Sequence, residues 1–356
     1  MSGETSLAGA VYQAVPGFED HLVWELSDLA EAGPSGGACR IENRGPLYWF
    51  AGKDGMSAEA PAVFWAANTW LQPFRLEFDS ISRAANALRA KQRNWAAVPY
   101  AAFRRTALIA ENLPPVAEKP RPFPWLFPER PMGAWTLLDA HTLIGSARCA
   151  NPFPAGRIAF EEDHAGPPSR AYLKLWEALV RARRWPLPGE RCLDAGASPG
   201  GWSWALAALG AEVIAVDRAG LDERVFRFRD SAGAPLVRFT RHDAFTLKPE
   251  DIGRVDWLFC DVVCYPGRLY RWIEAWLASG LAAHYVCTIK MQGTPGGGAE
   301  AARPAWQDGI AIARELARIP GSTVTHLHHN RHELTWIRVL PPDAGETPPA
   351  LESPRQ

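Results

Sequence analysis

From Arg170 to Leu340 the sequence alternates helix-like and strand-like segments, and few folds accept that alternation. "AYLKLWEALVRARR" places Leu175, Trp176, Leu179 and Val180 on one helical stripe, and "RCLDAGA" then reads as a buried strand. "GGWSWALAAL" is helical, "AEVIAVDR" and "VDWLFCDVV" are strand-like, "RLYRWIEAWLAS" is a helix and "HYVCTIKM" a strand. "PAWQDGIAIARELARI" supplies a last helix before "TVTHLHH" and "ELTWIRVL", a terminal pair of strands. Strands joined through helices need crossover connections, so this part of the chain implies an α/β fold with a mainly parallel sheet covered on both faces. Ligands of such sheets sit beyond the carboxyl ends of the strands, which narrows the search for function to a few positions.

Four strand ends carry polar groups. Asp194 and the loop "DAGASPGG" follow the first strand, Asp217 ends the second, Asp261 ends "VDWLFCD" and Lys290 ends "HYVCTIK". A carboxylate at Asp217, twenty-one residues after Gly196, can take both hydroxyls of an adenosine ribose. The dinucleotide fingerprint spaces its glycines G-x-G-x-x-G, whereas here Gly196, Gly200 and Gly201 surround Ser198 and Pro199. An acidic loop repels a pyrophosphate and suits a cationic amino group. S-adenosyl-L-methionine carries an ammonium, a sulfonium and an adenosine, and matches this set better than NAD; an NAD-dependent oxidoreductase is the weaker alternative.

The first 150 residues have a different texture. "AGAVYQAVPGFEDHLVWELSDLAEAG" reads as a strand, a turn at Pro16 and Gly17, and a helix from Glu19, and with the strand-like "PLYWFAG" it predicts a small α+β region. Prolines crowd the stretch from Pro114 to Pro131, which excludes a helix or a central strand and marks a connector. The expected organisation is an N-terminal α+β region over 1–150 that includes this connector, an α/β domain over 151–341, and a disordered tail over 342–356. A net charge of -1 confines any nucleic-acid surface to a local patch, with Arg83, Arg89, Lys91, Arg93, Arg104, Arg105, Arg181, Arg183 and Arg184 as candidate phosphate contacts. No membrane span or signal peptide is legible, and six scattered cysteines suit a reducing cytoplasm. His326, His328, His329 and His332 cluster without the ligand set that zinc requires, so no metal is expected.

Seven stretches, "SRAYLKL", "LDAGASPGGW", "AVDR", "RHDAF", "FCDVV", "TIK" and "RHELTW", stand in the order found in FtsJ-type ribose 2'-O-methyltransferases. The chain resembles in particular the RlmM family, which methylates a cytidine ribose of bacterial 23S ribosomal RNA. The resemblance runs from Asn151 to Leu340 and extends more weakly to "AVPGFEDHLVWEL", similar to the opening of that family's THUMP-containing RNA-binding region. It implies a Rossmann-like methyltransferase domain behind an N-terminal THUMP-like region, S-adenosyl-L-methionine as cofactor, ribosomal RNA as partner and a cytoplasmic location, with no protein partner. It also implies a catalytic tetrad at Lys174, Asp261, Lys290 and Glu333. Cofactor contacts would fall to Ser169, Asp194, Gly196, Ser198, Pro199, Gly200, Gly201, Trp202, Asp217, Asp243 and Asp261, with Asp243 near the adenine.

The chemistry makes sense of these residue types. A ribose hydroxyl is a weak acid, and its in-line attack on a sulfonium methyl needs deprotonation and tight alignment. A lysine serves as base only with a depressed pKa; burial beside a second ammonium depresses it, and a nearby carboxylate works the other way. Lys290 is expected as the general base, oriented by Asp261. Cys264 raises base methylation as a rival, but the Pro-Cys order of cytosine C5 enzymes is missing, as is an Asn-Pro-Pro-Tyr-like loop. The alternative from another class is an RNA-binding ribosome-assembly factor with a methyltransferase fold and little turnover. One departure from the family is the glycine-rich "MQGTPGGGAEAARP" after Lys290, which reads as a lid over the RNA.

Overall fold

The computed structural model describes residues 3–32, 39–52, 61–116, 118–127, 129–292 and 299–341. The expected tail at 342–356 and the glycine-rich centre of the expected lid, 293–298, lie outside the described residues. The chain divides into two compact units, one made of residues 1–120 with 127–159 and one of 121–126 with 160–356.

In the first unit the strands are β1 (Glu4–Ser6), β2 (Ala10–Ala14), β3 (Cys39–Arg44), β4 (Leu47–Gly52), β5 (Ala66–Leu71), β6 (Phe74–Glu77), β7 (Trp95–Ala97), β8 (Gly133–Leu137), β9 (Thr142–Ser146) and β10 (Arg148–Cys149). The helices are α1 (Glu19–Ala32), α2 (Ile81–Lys91) and α3 (Phe103–Glu111), so the strand, turn and helix read around Pro16 are all present. Two five-stranded sheets result, ordered β1-β6-β9-β8-β7 and β10-β5-β2-β4-β3. Alternation assigns their faces: in β6, Phe74 and Leu76 are buried while Arg75 and Glu77 are exposed. Ala84, Ala85 and Leu88 of α2 and Ile109 of α3 cover one face of the first sheet, against Trp95, Trp135 and Leu137. Ala134 and Ile144 point the other way and meet Val11, Leu47 and Trp70 of the second sheet.

The second unit holds β11 (Arg191–Ala195), β12 (Glu212–Asp217), β13 (Val237–Arg241), β14 (Val255–Cys260), β15 (Ala282–Lys290), β16 (Ser322–Thr325) and β17 (Glu333–Arg338), with α4 (Tyr172–Ala182), α5 (Gly201–Ala208), α6 (Pro249–Ile252), α7 (Pro266–Ser279) and α8 (Ala299–Ala317). They form one sheet ordered β13-β12-β11-β14-β15-β17-β16. The first five strands in that order run parallel, and β17 lies antiparallel between β15 and β16. From β11 the chain builds outward to β12 on one side and later to β14 on the other, so a crevice opens beyond their carboxyl ends. Two sequence expectations change. The edge strand β13 was not foreseen, because only Val237 in it is buried. The strand expected over "TVTHLHH" stops at Thr325, so His326, His328 and His329 occupy the turn before β17.

The proline-rich connector enters this unit as well. Phe123 stacks on Trp176 of α4 with ring centroids 4.8 Å apart, so its aromatic residues help to order the backbone that its prolines stiffen.

Candidate active site

The four residues of the expected tetrad converge. Lys174 comes from the first turn of α4, Asp261 follows β14, Lys290 ends β15 and Glu333 starts β17. Strand pairing makes the last two direct partners, since the antiparallel register sets Lys290 opposite Glu333. The Lys174 ammonium donates to Asp261 at 2.9 Å and to Glu333 at 2.7 Å. Lys290 donates to Asp261 at 2.6 Å and also to Glu333. The result is a closed square of alternating charge in which each lysine touches both carboxylates. Such a buried set is tolerable only because every charge is paired. Thr288, two residues before Lys290 on the same strand face, donates its hydroxyl to Asp261 at 2.6 Å and fixes that carboxylate from a third side.

Exposure is not uniform around the square. The side chains of Lys174 and Glu333 are 8% and 9% exposed, those of Lys290 and Asp261 16% and 17%. The Lys290 and Asp261 edge is therefore the more open side of the square. Burial pulls the Lys290 ammonium toward losing its proton, but Asp261 and Glu333 outweigh it and hold its pKa above the ordinary lysine value. Burial likewise works to raise Asp261, and Lys174 and Lys290 overcome it, so its carboxyl stays below the usual carboxylate range. The depressed lysine expected from the sequence is thus not what this square contains. Two carboxylates beat one neighbouring ammonium.

The glycine loop abuts this square. Gly196 has φ of +82°, and a Cβ there would stand 2.5 Å from Val262 Cγ2, so a side chain would push apart the β11 and β14 loops. Gly200, at φ +115°, starts α5, and Gly201 lies so close to the Ser169 hydroxyl that an added Cβ would stand 2.5 Å from it. Asp217 holds the loop by accepting from the amides of Ser198 at 3.0 Å and Ala219 at 2.8 Å. Ser198 in turn donates its hydroxyl to the Gly220 carbonyl at 2.9 Å. Asp243 accepts from the Phe245 amide and from Arg268, both at 3.0 Å.

Asp194 is 1% exposed. Its Oδ2 accepts from Ser203 at 2.6 Å, while Oδ1 is buried with no hydrogen-bond partner. Burial pushes its pKa to about 7, against the Ser203 hydrogen bond and with the help of Asp261. A buried oxygen left unpaired beside the crevice is a natural place for a cationic donor. Trp202, by contrast, is 3% exposed and donates its indole to the Ala171 carbonyl at 2.9 Å, with Lys174 over its ring at 5.7 Å. It braces the start of α4 under Lys174.

Sequence reasoning missed Thr288 and Glu177. Glu177 is completely buried one turn after Lys174 and accepts from Arg181, from the backbone amides of His328 and His329, and from the His329 ring. Burial raises its pKa, but Arg181 and His329 win and bring it to about 2. Arg181 is accordingly a partner of Glu177, which corrects its expected place among the phosphate contacts. In the same turn His326 meets the Arg331 carbonyl at 2.8 Å. Among the described residues no group of three or more histidine, cysteine, aspartate or glutamate side chains is placed to hold a metal, and no helix is long and apolar enough to cross a membrane.

Residues 167–289 match the family model of FtsJ-like methyltransferases. The chain is 32% identical over 210 residues to a ribosomal RNA large subunit methyltransferase M of Alkalilimnicola ehrlichii, covering 56% of this chain and 52% of that one. It is 35% identical over 212 residues to the protein of that name from Laribacter hongkongensis, covering 54% of each. The chain spans about half the length of the curated relatives it matches. Among solved structures, magnesium protoporphyrin IX methyltransferase from Synechocystis is 21% identical, with a TM-score of 0.31 over 48% of this chain and 78% of that one.

Proposed function

We propose that the protein transfers a methyl group from S-adenosyl-L-methionine to the 2'-hydroxyl of a ribose in ribosomal RNA, and that the target is a cytidine of the 23S molecule. The observation that carries this reading is the closed Lys174, Asp261, Lys290 and Glu333 square at the strand ends. The similarity to FtsJ-like and large-subunit ribosomal RNA methyltransferases supports it. In the same reading residues 1–150, with the connector, form a THUMP-like RNA-binding region ahead of a methyltransferase domain over 151–341.

The residues at the crevice fit the cofactor by their donor and acceptor chemistry. The unpaired Asp194 Oδ1 suits its ammonium, Asp217 has lone pairs left for ribose hydroxyls, and Asp243 can accept from an exocyclic amine. Ser169, Gly196, Ser198, Pro199, Gly200 and Gly201 line its approach. When bound, it supplies an electrophilic methyl on a cationic sulfur. The protein does the rest. Asp261 and Glu333 orient the Lys290 amine so that Nζ takes the proton of the attacking hydroxyl, and Lys174 holds both carboxylates in place. Because the resting square keeps Lys290 protonated, its base form has to be generated by loss of that proton to solvent before the hydroxyl is taken up. Transfer therefore rises with pH.

The test is incubation with labelled S-adenosyl-L-methionine and unmodified ribosomal RNA, followed by mapping of the product. A 2'-O-methyl ribose lost in Lys290→Ala supports the assignment. A methylated base overturns it, and cofactor binding without transfer favours the assembly-factor reading.

A further inference from the structure

The first unit contains a cavity of about 230 Å³ between its two sheets. Leu7, Val11, Leu47, Trp49, Leu138 and Ile144 form the walls, and Glu42, Arg44 and Arg75 stand among the lining residues. At about 30 Å³ per water it would hold roughly seven waters, far more than a packing defect and enough for one planar heterocycle.

The register explains how the charged groups come to border an apolar hole. Glu42 pairs with Trp49 across β3 and β4, Arg44 pairs with Leu47, and Trp49 pairs in turn with Val11 of β2. On the other sheet Arg75 of β6 lies opposite Ile144 of β9. Each row thus runs from a charged residue at the rim to an apolar residue inside. Arg44 and Arg75 are half exposed, at 50% and 48%, and each has an acidic partner at 3.1 Å, Glu42 and Glu77. Glu42 is far less exposed, at 17%. Trp49 has its indole nitrogen engaged with the Ala8 carbonyl at 2.7 Å, which fixes the ring as a wall of the cavity.

We propose that this cavity receives the base of one unpaired nucleotide of the RNA substrate, with Trp49 stacking on the base, Glu42 accepting from its amino or imino edge, and Arg44 and Arg75 meeting the flanking phosphates. An apolar side chain of a protein would use the walls but not the charged rim, where Glu42 meets Arg40 and Arg44, and Arg75 meets Glu77. A nucleotide uses all three kinds of group: flat apolar faces, a hydrogen-bonding edge and an anionic backbone. The inference rests on the RNA-modifying reading of the protein and adds a second point of attachment, in the other unit from the tetrad.

The test uses the full chain and short single-stranded oligonucleotides of ribosomal sequence carrying one 4-thiouridine, alongside a methyl-transfer assay on the whole RNA. The proposal expects photocrosslinks to Trp49 or its cavity neighbours, and oligonucleotide affinity at least about fivefold weaker in Trp49→Ala, the lower end for loss of one base stack. Trp49→Ala could fail to fold, so Leu7→Trp, which fills the cavity, and Arg75→Ala, at an exposed site, are measured beside it. Both should raise KM for RNA while leaving kcat and cofactor affinity unchanged. Full transfer with unaltered KM in Leu7→Trp and Arg75→Ala overturns the cavity proposal and leaves the function standing. Crosslinks at Trp49 without methyl transfer overturn the function and leave the cavity standing. Displacement of the oligonucleotide by an N-acetylated phenylalanine amide but by no nucleoside would assign the cavity to a protein side chain and overturn the proposal.

Discussion

Two buried charge clusters sit three residues apart on α4, and they do different things. Around Glu177 the charges are sealed: the carboxylate side chain is 0% exposed, and Arg181, His329 and two backbone amides occupy its oxygens. Around Lys174 the charges are paired just as fully, yet Lys290 and Asp261 keep an edge toward the crevice. Both clusters shift pKa values, so a perturbed titration by itself does not separate a fastening from a reaction centre. The difference is access: one cluster ties the turn before β17 to α4, and the other leaves an amine and a carboxylate partly open.

The sharpest way to break this comparison is to swap the expected phenotypes. Lys290→Ala should lower transfer to RNA by about 10² to 10⁴, the ordinary contribution of a general base, in the fraction that remains folded; taking one of two ammoniums from the square also costs stability. In the wild type the rate should keep climbing across the alkaline range, since the amine is held above its ordinary pKa and works only unprotonated. A rate that levels off near neutral pH would refute the base assignment.

Glu177→Ala should do the opposite. It leaves Arg181 and His329 without their buried carboxylate and should cost about 3–5 kcal/mol of stability, read as a fall in denaturant midpoint. Cofactor affinity of the folded fraction should be retained. The stabilisation from Glu177 is present above the ordinary glutamate range and lost as pH falls through about 2.

Asp194 gives a subtler contrast, because its folded pKa is raised. Its contribution is present below the ordinary aspartate range and lost as pH rises through about 7, with a slope of about 1.4 kcal/mol per pH unit in between. Asp194→Asn should flatten that part of the stability profile and weaken cofactor binding; an unchanged profile would show that the carboxyl is not protonated in the folded protein. The smallest effect belongs to Thr288→Val, which removes one hydrogen bond to Asp261 and should slow transfer about tenfold with a small fall in thermal midpoint.

Much of the second unit was legible because parallel strands buried on both faces write themselves as short apolar runs, and the polar residues that interrupt such runs at their ends are Asp194, Asp217, Asp261 and Lys290. Lys174 and Glu333 were legible only through the resemblance, since each alone is an ordinary helix or strand residue. Thr288 could have been found from alternation, which puts it on the same face as Lys290. Glu177 could not, because apart from Arg181 its partners, His328 and His329, come from more than 150 residues further along the chain. The two-sheet packing of the first unit was equally hidden. Its strands are short, and what brings Val11 and Trp70 against Ile144 is contact between sheets, which no local pattern records.

The insertion of β17 between β15 and β16 has a consequence for how the protein comes into being. A ribosome delivers Lys174, the glycine loop, Asp261 and Lys290 before it delivers Glu333, so the charge square is among the last parts of the sheet to be finished. Until that strand slides into place beside Lys290, one corner of the square is missing and two lysines share a single carboxylate. Under the proposed function, a growing polypeptide that already carries the glycine loop but not Glu333 would lack the finished square and would not yet transfer a methyl group.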